Sequence, residues 1–114
     1  MLIAPPPGRT ALERFAEGIL ATVRSDVPDL TLRQIAVMLI VYQEPPPQPQ
    51  TVRGLAAHLN IPRAAITRVL NRLGLFDLAR RRIDPLDRRS VFVHPTVKGA
   101  VYVRRIKAAL EANA

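Results

Sequence analysis

Eleven arginines lie between positions 51 and 110, and their spacing limits the chemistry this chain can perform. Arg63, Ala64, Thr67, Arg68, Asn71 and Arg72 recur at intervals of three and four, which puts them on one side of a helix. Guanidinium forks, a hydroxyl and an amide are the groups that grip phosphates and read base edges in a major groove. Arg88 and Arg89 stand side by side in a short polar stretch, Asp84-Pro85-Leu86-Asp87-Arg88-Arg89. Long cations at the tip of a turn can enter a narrow minor groove. An unpaired carboxylate there would be repelled by phosphate, so Asp84 and Asp87 read as orienting partners of the arginines. On this reading Thr51, Arg53, Arg63, Ala64, Thr67, Arg68, Asn71, Arg72, Arg80, Arg82, Arg88 and Arg89 are candidate contacts to double-stranded DNA. The competing reading is an ordinary solvated helix face beside a turn held by internal ion pairs, with Arg80, Arg81 and Arg82 paired to Asp84 and Asp87.

Catalytic chemistry has little to work with. His58 and His94 are the two histidines and fall in different elements, so each reads as a surface or structural residue. There is no cysteine, which excludes disulfides, thiolate zinc and thiol redox sensing by this chain. GxSxG, GxGxxG and Walker motifs are absent as well. Asp84 and Asp87 are close in sequence but surrounded by arginines, so they read as ion-pair partners rather than as a catalytic acid pair. The expectation is a non-enzyme with no metal and no cofactor.

Charge is divided along the chain. Residues 1–50 hold four basic groups against five acidic ones, whereas residues 51–110 hold thirteen against three. A neutral half joined to a half of net +10 suggests a polyanion-binding surface on one side. The length of 114 residues fits one domain. Aromatic content of 4% leaves Leu, Ile, Val and Ala to fill its core. The longest apolar run, Ile35–Tyr42, is too short to span a membrane, and MLIAPPPGRT lacks the features of a secretory leader. A cytoplasmic protein is expected.

The elements that must position these residues are legible from periodicity. Residues 1–9 read as a flexible Pro-rich tail. A first helix over 10–24 carries Leu12, Phe15, Ala16, Ile19, Leu20 and Val23 as one apolar stripe, with Thr10 and Glu13 at capping-box spacing. A second helix starts at Thr31, runs to about Gln43, and is apolar nearly all round, which predicts the buried centre of the domain. Glu44 to Gln50 (EPPPQPQ) stops it and favours a stiff extended connection. Thr51 caps a third helix over Val52–Leu59. After a break at Asn60 and Ile61, Pro62 opens a fourth helix reaching about Phe76. On that helix Ile66, Val69, Leu70 and Leu73 form a core-facing stripe, while small Ala64 and Ala65 would let DNA approach its start. Leu78–Ile83 and Ser90–His94 read as two strands of a hairpin with an Arg-rich tip. A last helix over 96–112 carries Val97, Val101, Tyr102, Val103, Ile106 and Leu110. The architecture is therefore mainly α with a small β-hairpin. It is a single domain over 10–114, with a helix-turn-helix at 51–76, a wing at 78–94 and flanking terminal helices. Leu12, Phe15 and Ile19 of the first helix, with Val101, Tyr102, Ile106 and Leu110 of the last, are expected to pair two protomers as a homodimer.

From Leu30 to Gly99 the chain resembles the MarR family of winged-helix transcription factors. The resemblance rests on Leu30-Thr31 with Gln34, on Thr51-Val52-Arg53-Gly54-Leu55-Ala56, on Ala65-Ile66-Thr67-Arg68 and on Leu70-Asn71-Arg72-Leu73. Its strongest piece is Asp84-Pro85-Leu86-Asp87-Arg88-Arg89-Ser90-Val91-Phe92-Val93, followed by Thr96 and Gly99. The resemblance implies a dimer on palindromic DNA, with the fourth helix in the major groove and the wing in the minor groove. It also implies control by a small-molecule effector, which no residue here identifies. Phe76-Asp77 replaces the family's Gly-containing turn, Pro95 stands where Leu is common, and the final helix is single and short. The alternative function is a winged-helix protein-interaction module, or a protein that coats nucleic acid without sequence preference.

Overall fold

Capping chemistry sets where each helix begins. In the computed structural model, which describes residues 8–43 and 49–111, α1 (Ala11–Arg24) follows Thr10, whose Oγ1 accepts from Glu13 N at 3.1 Å. α2 (Leu32–Val41) opens with a complete capping box: Gln34 N donates to Thr31 Oγ1, and Thr31 N donates back to Gln34 Oε1. α3 (Val52–Leu59) starts where Gly54 N donates to Thr51 Oγ1 at 2.9 Å. α4 (Arg63–Leu75) follows Pro62, which stands at the N-cap rather than in the first turn. α5 (Val97–Glu111) is capped by Thr96, whose Oγ1 accepts from Gly99 N at 2.9 Å.

Two helices are closed by residues in the left-handed region. Asn60 (φ 54°) ends α3 and Asp77 (φ 57°) follows α4. Each closure has the paired bonds of a Schellman motif: Ile61 N to Ala56 O with Asn60 N to Ala57 O, and Leu78 N to Leu73 O with Asp77 N to Gly74 O. Asn and Asp tolerate this conformation better than other non-glycine residues, so Asp77 makes the turn without a glycine.

The expected hairpin is present as β2 (Ala79–Ile83) and β3 (Val91–Pro95), and a third strand joins it. β1 (Gln50–Thr51) pairs antiparallel with β3, giving the order β1-β3-β2. In register, Thr51 faces Phe92 and Gln50 faces Val93, while Arg81 faces Val93 across the other edge. The end of the expected stiff connection is thus a strand, because the free edge of β3 offers it a ladder. Residues 44–48 of that connection and residues 1–7 of the expected tail lie outside the described residues. Arg9, at the end of that tail, forms an ion pair with Glu17.

Where a single domain over 10–114 is expected, the chain divides into two compact units, residues 28–101 and residues 8–27 with 102–111. In the first, Val37, Met38, Leu55, Ile66, Leu70, Leu73, Leu78 and Val93 are fully buried. α2 is less enclosed than its composition suggests. Val37, Met38, Ile40 and Val41 are buried, but Leu32 and Leu39 are exposed, since neighbours cover only one side of the helix. Tyr42, just past its end, ties three elements together. Its Oη donates to Leu78 O at 2.7 Å and accepts from Thr96 N at 2.8 Å. Gly99 makes this possible, because a Cβ there would overlap Tyr42 Oη and Leu78 O.

The terminal unit packs sparsely. α1 buries Gly18 and Thr22, not its apolar stripe. A Cβ on Gly18 would lie 3.3 Å from Ile106 O, so α1 and α5 meet there at backbone distance. The expected interface set splits accordingly. Leu12 (75% exposed), Phe15 and Val101 are exposed, and Ile19 and Leu110 are half-buried. Tyr102 and Ile106 are 4% and 6% exposed, so the chain itself already covers these two. Among the described residues, no helix is long and apolar enough to cross a membrane.

Candidate nucleic-acid interface

α4 turns its residues as its periodicity requires. Ile66, Val69, Leu70 and Leu73 are buried, and Arg63, Ala64, Thr67, Arg68, Asn71 and Arg72 are exposed. Ala65 departs from the sequence reading. It is 4% exposed, packed on the core side with Ile66, so of the two small residues Ala64 alone lies on the outer face.

The start of α3, the start of α4 and the first residues of β3 enclose a cleft of about 450 Å³. Thr51, Arg53, Arg63, Thr67, Arg89 and Ser90 line it, with Val52 and Val91, and no carboxylate does. Three guanidiniums and three hydroxyls converging without an acidic group attract an anion and offer it donors from several directions. β1 explains the convergence: pairing Thr51 with Phe92 brings the capping residue of α3 beside the strand that leaves the wing. Arg53 and Ser90 are exposed and half-buried respectively, and Ser90 is a cleft residue that the sequence reading did not single out.

The wing tip is held by its two aspartates. Asp84 Oδ1 accepts from Leu86 N at 2.9 Å, and Asp84 N donates to Ser90 O at 2.9 Å, which closes the loop. Asp87 Oδ1 accepts from Arg89 N at 3.1 Å and from Arg89 Nε at 3.4 Å, while its Oδ2 accepts from Ser90 Oγ at 3.3 Å. Arg89 is therefore braced toward the cleft. Arg88, beside it, is exposed and has no side-chain partner among the described residues.

The strand arginines do not pair with Asp84 or Asp87. Arg80 instead reaches back to Asp77, its Nη2 3.2 Å from Oδ1, because the left-handed turn at Asp77 brings that carboxylate alongside. Arg81 Nη2 donates to Asn71 Oδ1 at 2.5 Å. Pleating puts Arg80 and Arg82 on the face opposite Ala79 and Arg81. Arg82 is exposed and unpaired among the described residues. Arg72 lies over the Phe76 ring, 4.7 Å from its centroid. His58 is exposed, and the His94 ring sits 6.2 Å from that of Phe92, tilted by 52°. Among the described residues, no group of three or more His, Cys, Asp or Glu could hold a metal ion. Of the links the sequence reading missed, those of β1 and Tyr42 join residues far apart in the chain, and Arg81 to Asn71 spans the turn between α4 and β2.

Comparison with known proteins bears on what carries this surface. The sequence description of the MarR family matches residues 30–91, more than half of the chain. Among solved structures, transcriptional regulator Tm0710 from Thermotoga maritima superposes with a TM-score of 0.70 at 23% identity, over 89% of this chain and 67% of that one. Transcriptional regulator PA4135 gives a TM-score of 0.68 at 28% identity, over 90% and 69%. Reduced AbfR bound to DNA gives 0.65 at 20% identity, over 89% and 67%. The chain spans about two thirds of the length of these structures. Comparison with curated proteins gives no match. The sequence match and the shared winged-helix fold agree: this chain belongs to the MarR family, whose members are transcription regulators and not enzymes.

Proposed function

We propose that this chain is a sequence-specific double-stranded DNA-binding regulator, a cytoplasmic homodimer that represses by occupying its operator. The observation that carries the proposal is the cleft of about 450 Å³ in which Arg53, Arg63 and Arg89 converge with no carboxylate among them. A backbone phosphate seated there would meet donors from α3, α4 and the wing together, which fixes the register of the protein on the duplex. α4 then lies in the major groove with its exposed residues toward the base edges. Arg88, free at the wing tip, enters the minor groove, and Arg89, braced by Asp87, stays on the phosphate.

The apolar stripe of α1 supports the dimer. Leu12, Phe15, Leu20 and Val23 are exposed on one helix, and a second copy of the chain would cover them. Two copies related by a two-fold axis read two half-sites about one helical turn apart. Selection from a pool of random duplexes tests this. A palindromic motif with that spacing is expected, and enrichment without any motif would overturn the reading in favour of a coating protein.

A further inference from the structure

The polar residues of α4 are not equivalent, and their partners divide the helix in two. In its C-terminal half, Asn71 Oδ1 accepts from Arg81 Nη2 at 2.5 Å. A guanidinium has donors and no acceptor, so the amide must present its oxygen to Arg81. Asparagine reads adenine by accepting from N6 through that oxygen while donating to N7 through its nitrogen. Arg81 takes one of the two acceptor positions of that oxygen and turns the amide toward β2, so Asn71 is less free than Thr67 and Arg68 to align with a base edge. Arg72 is also engaged: it lies over Phe76, four residues on, so its fork is drawn toward the C-terminal end of the helix. In the N-terminal half, Thr67 and Arg68 are exposed and have no side-chain partner among the described residues.

The Arg81 side of the link is anchored. Arg81 sits in the middle of β2 opposite Val93, which is 2% exposed, so the strut rises from the best-buried part of the hairpin. It joins the helix that would enter one groove to the hairpin that would enter the next. It adds a polar link to the turn and the buried packing of Leu73, Leu78 and Ala79 that already hold the two together.

We propose that base preference is set by Thr67 and Arg68, and that Arg81 is a positioning residue that uses Asn71 as its foothold on α4. The inference rests on the DNA-reading function and assigns roles within that same surface.

The full-length protein and its Thr67→Ala/Arg68→Ala, Asn71→Ala, Asn71→Asp and Arg81→Ala variants would each be selected against the random duplex pool, with affinity measured alongside. The double variant is expected to lose preference at one or more motif positions by at least about tenfold. Asn71→Ala and Arg81→Ala are expected to return the wild-type motif with affinity lowered severalfold and evenly across sequences. Asn71→Asp turns the hydrogen bond into an ion pair, so it should keep the motif and hold wild-type affinity better than Asn71→Ala. Loss of a base preference in Asn71→Ala or Asn71→Asp would overturn the inference, as would an unchanged motif in the double variant. A wild-type pool without a motif is a separate result, and it would overturn the function itself.

Discussion

Helices α4 and α1 carry equally regular apolar stripes, and the chain uses them in opposite ways. On α4 the stripe of Ile66, Val69, Leu70 and Leu73 is buried and the polar side is exposed. On α1 the stripe of Leu12, Phe15, Leu20 and Val23 is exposed, and the buried residues are Gly18 and Thr22. The winged unit has enough neighbouring elements to cover the stripe of α4, although Leu32, Leu39, Leu75 and Leu86 of the same unit stay exposed. In the terminal unit α1 meets α5 through a glycine instead, and its apolar stripe is left uncovered. A stripe therefore marks which side of a helix should be covered, while the number of neighbours decides whether the same chain can cover it. The two helices therefore differ in which side the chain itself covers, the apolar one on α4 and the small-residue one on α1.

The comparison can be broken first at the wing. Replacing both Arg88 and Arg89 by alanine should weaken DNA binding by about 3 kcal/mol or more, on the order of a hundredfold, since each such contact is worth roughly 1–3 kcal/mol. The slope of log affinity against log salt should also flatten, by about 0.9 for each phosphate that is no longer neutralised. Fluorescence anisotropy across a salt series measures both, and light scattering should find the dimer intact. The converse change is Phe15→Glu, which puts a charge on the exposed stripe. Burying an aromatic side chain is worth roughly 1.5–3 kcal/mol, so dimer dissociation should rise at least about tenfold. Light scattering reads that shift, while the far-UV circular dichroism of the folded chain should hardly change.

Smaller changes sharpen the contrast between the two units. Gly99→Ala drives a methyl into Tyr42 Oη and Leu78 O and should lower stability by roughly 1–3 kcal/mol, the usual range for overpacking. Gly18→Ala meets Ile106 O at 3.3 Å, a milder contact, so its effect in thermal unfolding should be the lesser of the two. Thr31→Ala removes one half of the capping box of α2 and should lower stability by about 1 kcal/mol.

What could be read from the sequence follows the range of the interactions. The caps at Thr10 and Thr51, the start of α2 at Thr31, the break at Asn60 and the hairpin around Asp84–Arg89 rest on residues within a few positions of one another, and all were legible. Strand β1 was not, because two residues show no periodicity and their pairing is supplied by β3, some forty positions away. Tyr42 read as the end of an apolar run, since its partners Leu78 and Thr96 lie 36 and 54 positions on. The same limit applies to the candidate site. The exposed face of α4 followed from the 3.6-residue period, but that Arg81 holds Asn71 depended on how β2 docks, and that Arg80 pairs with Asp77 depended on the left-handed turn at Asp77. Tyr102 and Ile106 are already buried within the chain, a distinction that apolar spacing alone does not make between burial within a chain and burial between chains.

The central claim is that this surface reads sequence rather than merely attracting polyanions, and a competition titration tests it most directly. The protein would be bound to a labelled duplex carrying its selected motif and challenged with unlabelled random duplex at physiological salt. The account predicts that displacement requires about a thousandfold excess or more, the lower end of the gap between specific and non-specific binding. Displacement by random duplex at concentrations equal to those of unlabelled motif duplex would contradict it.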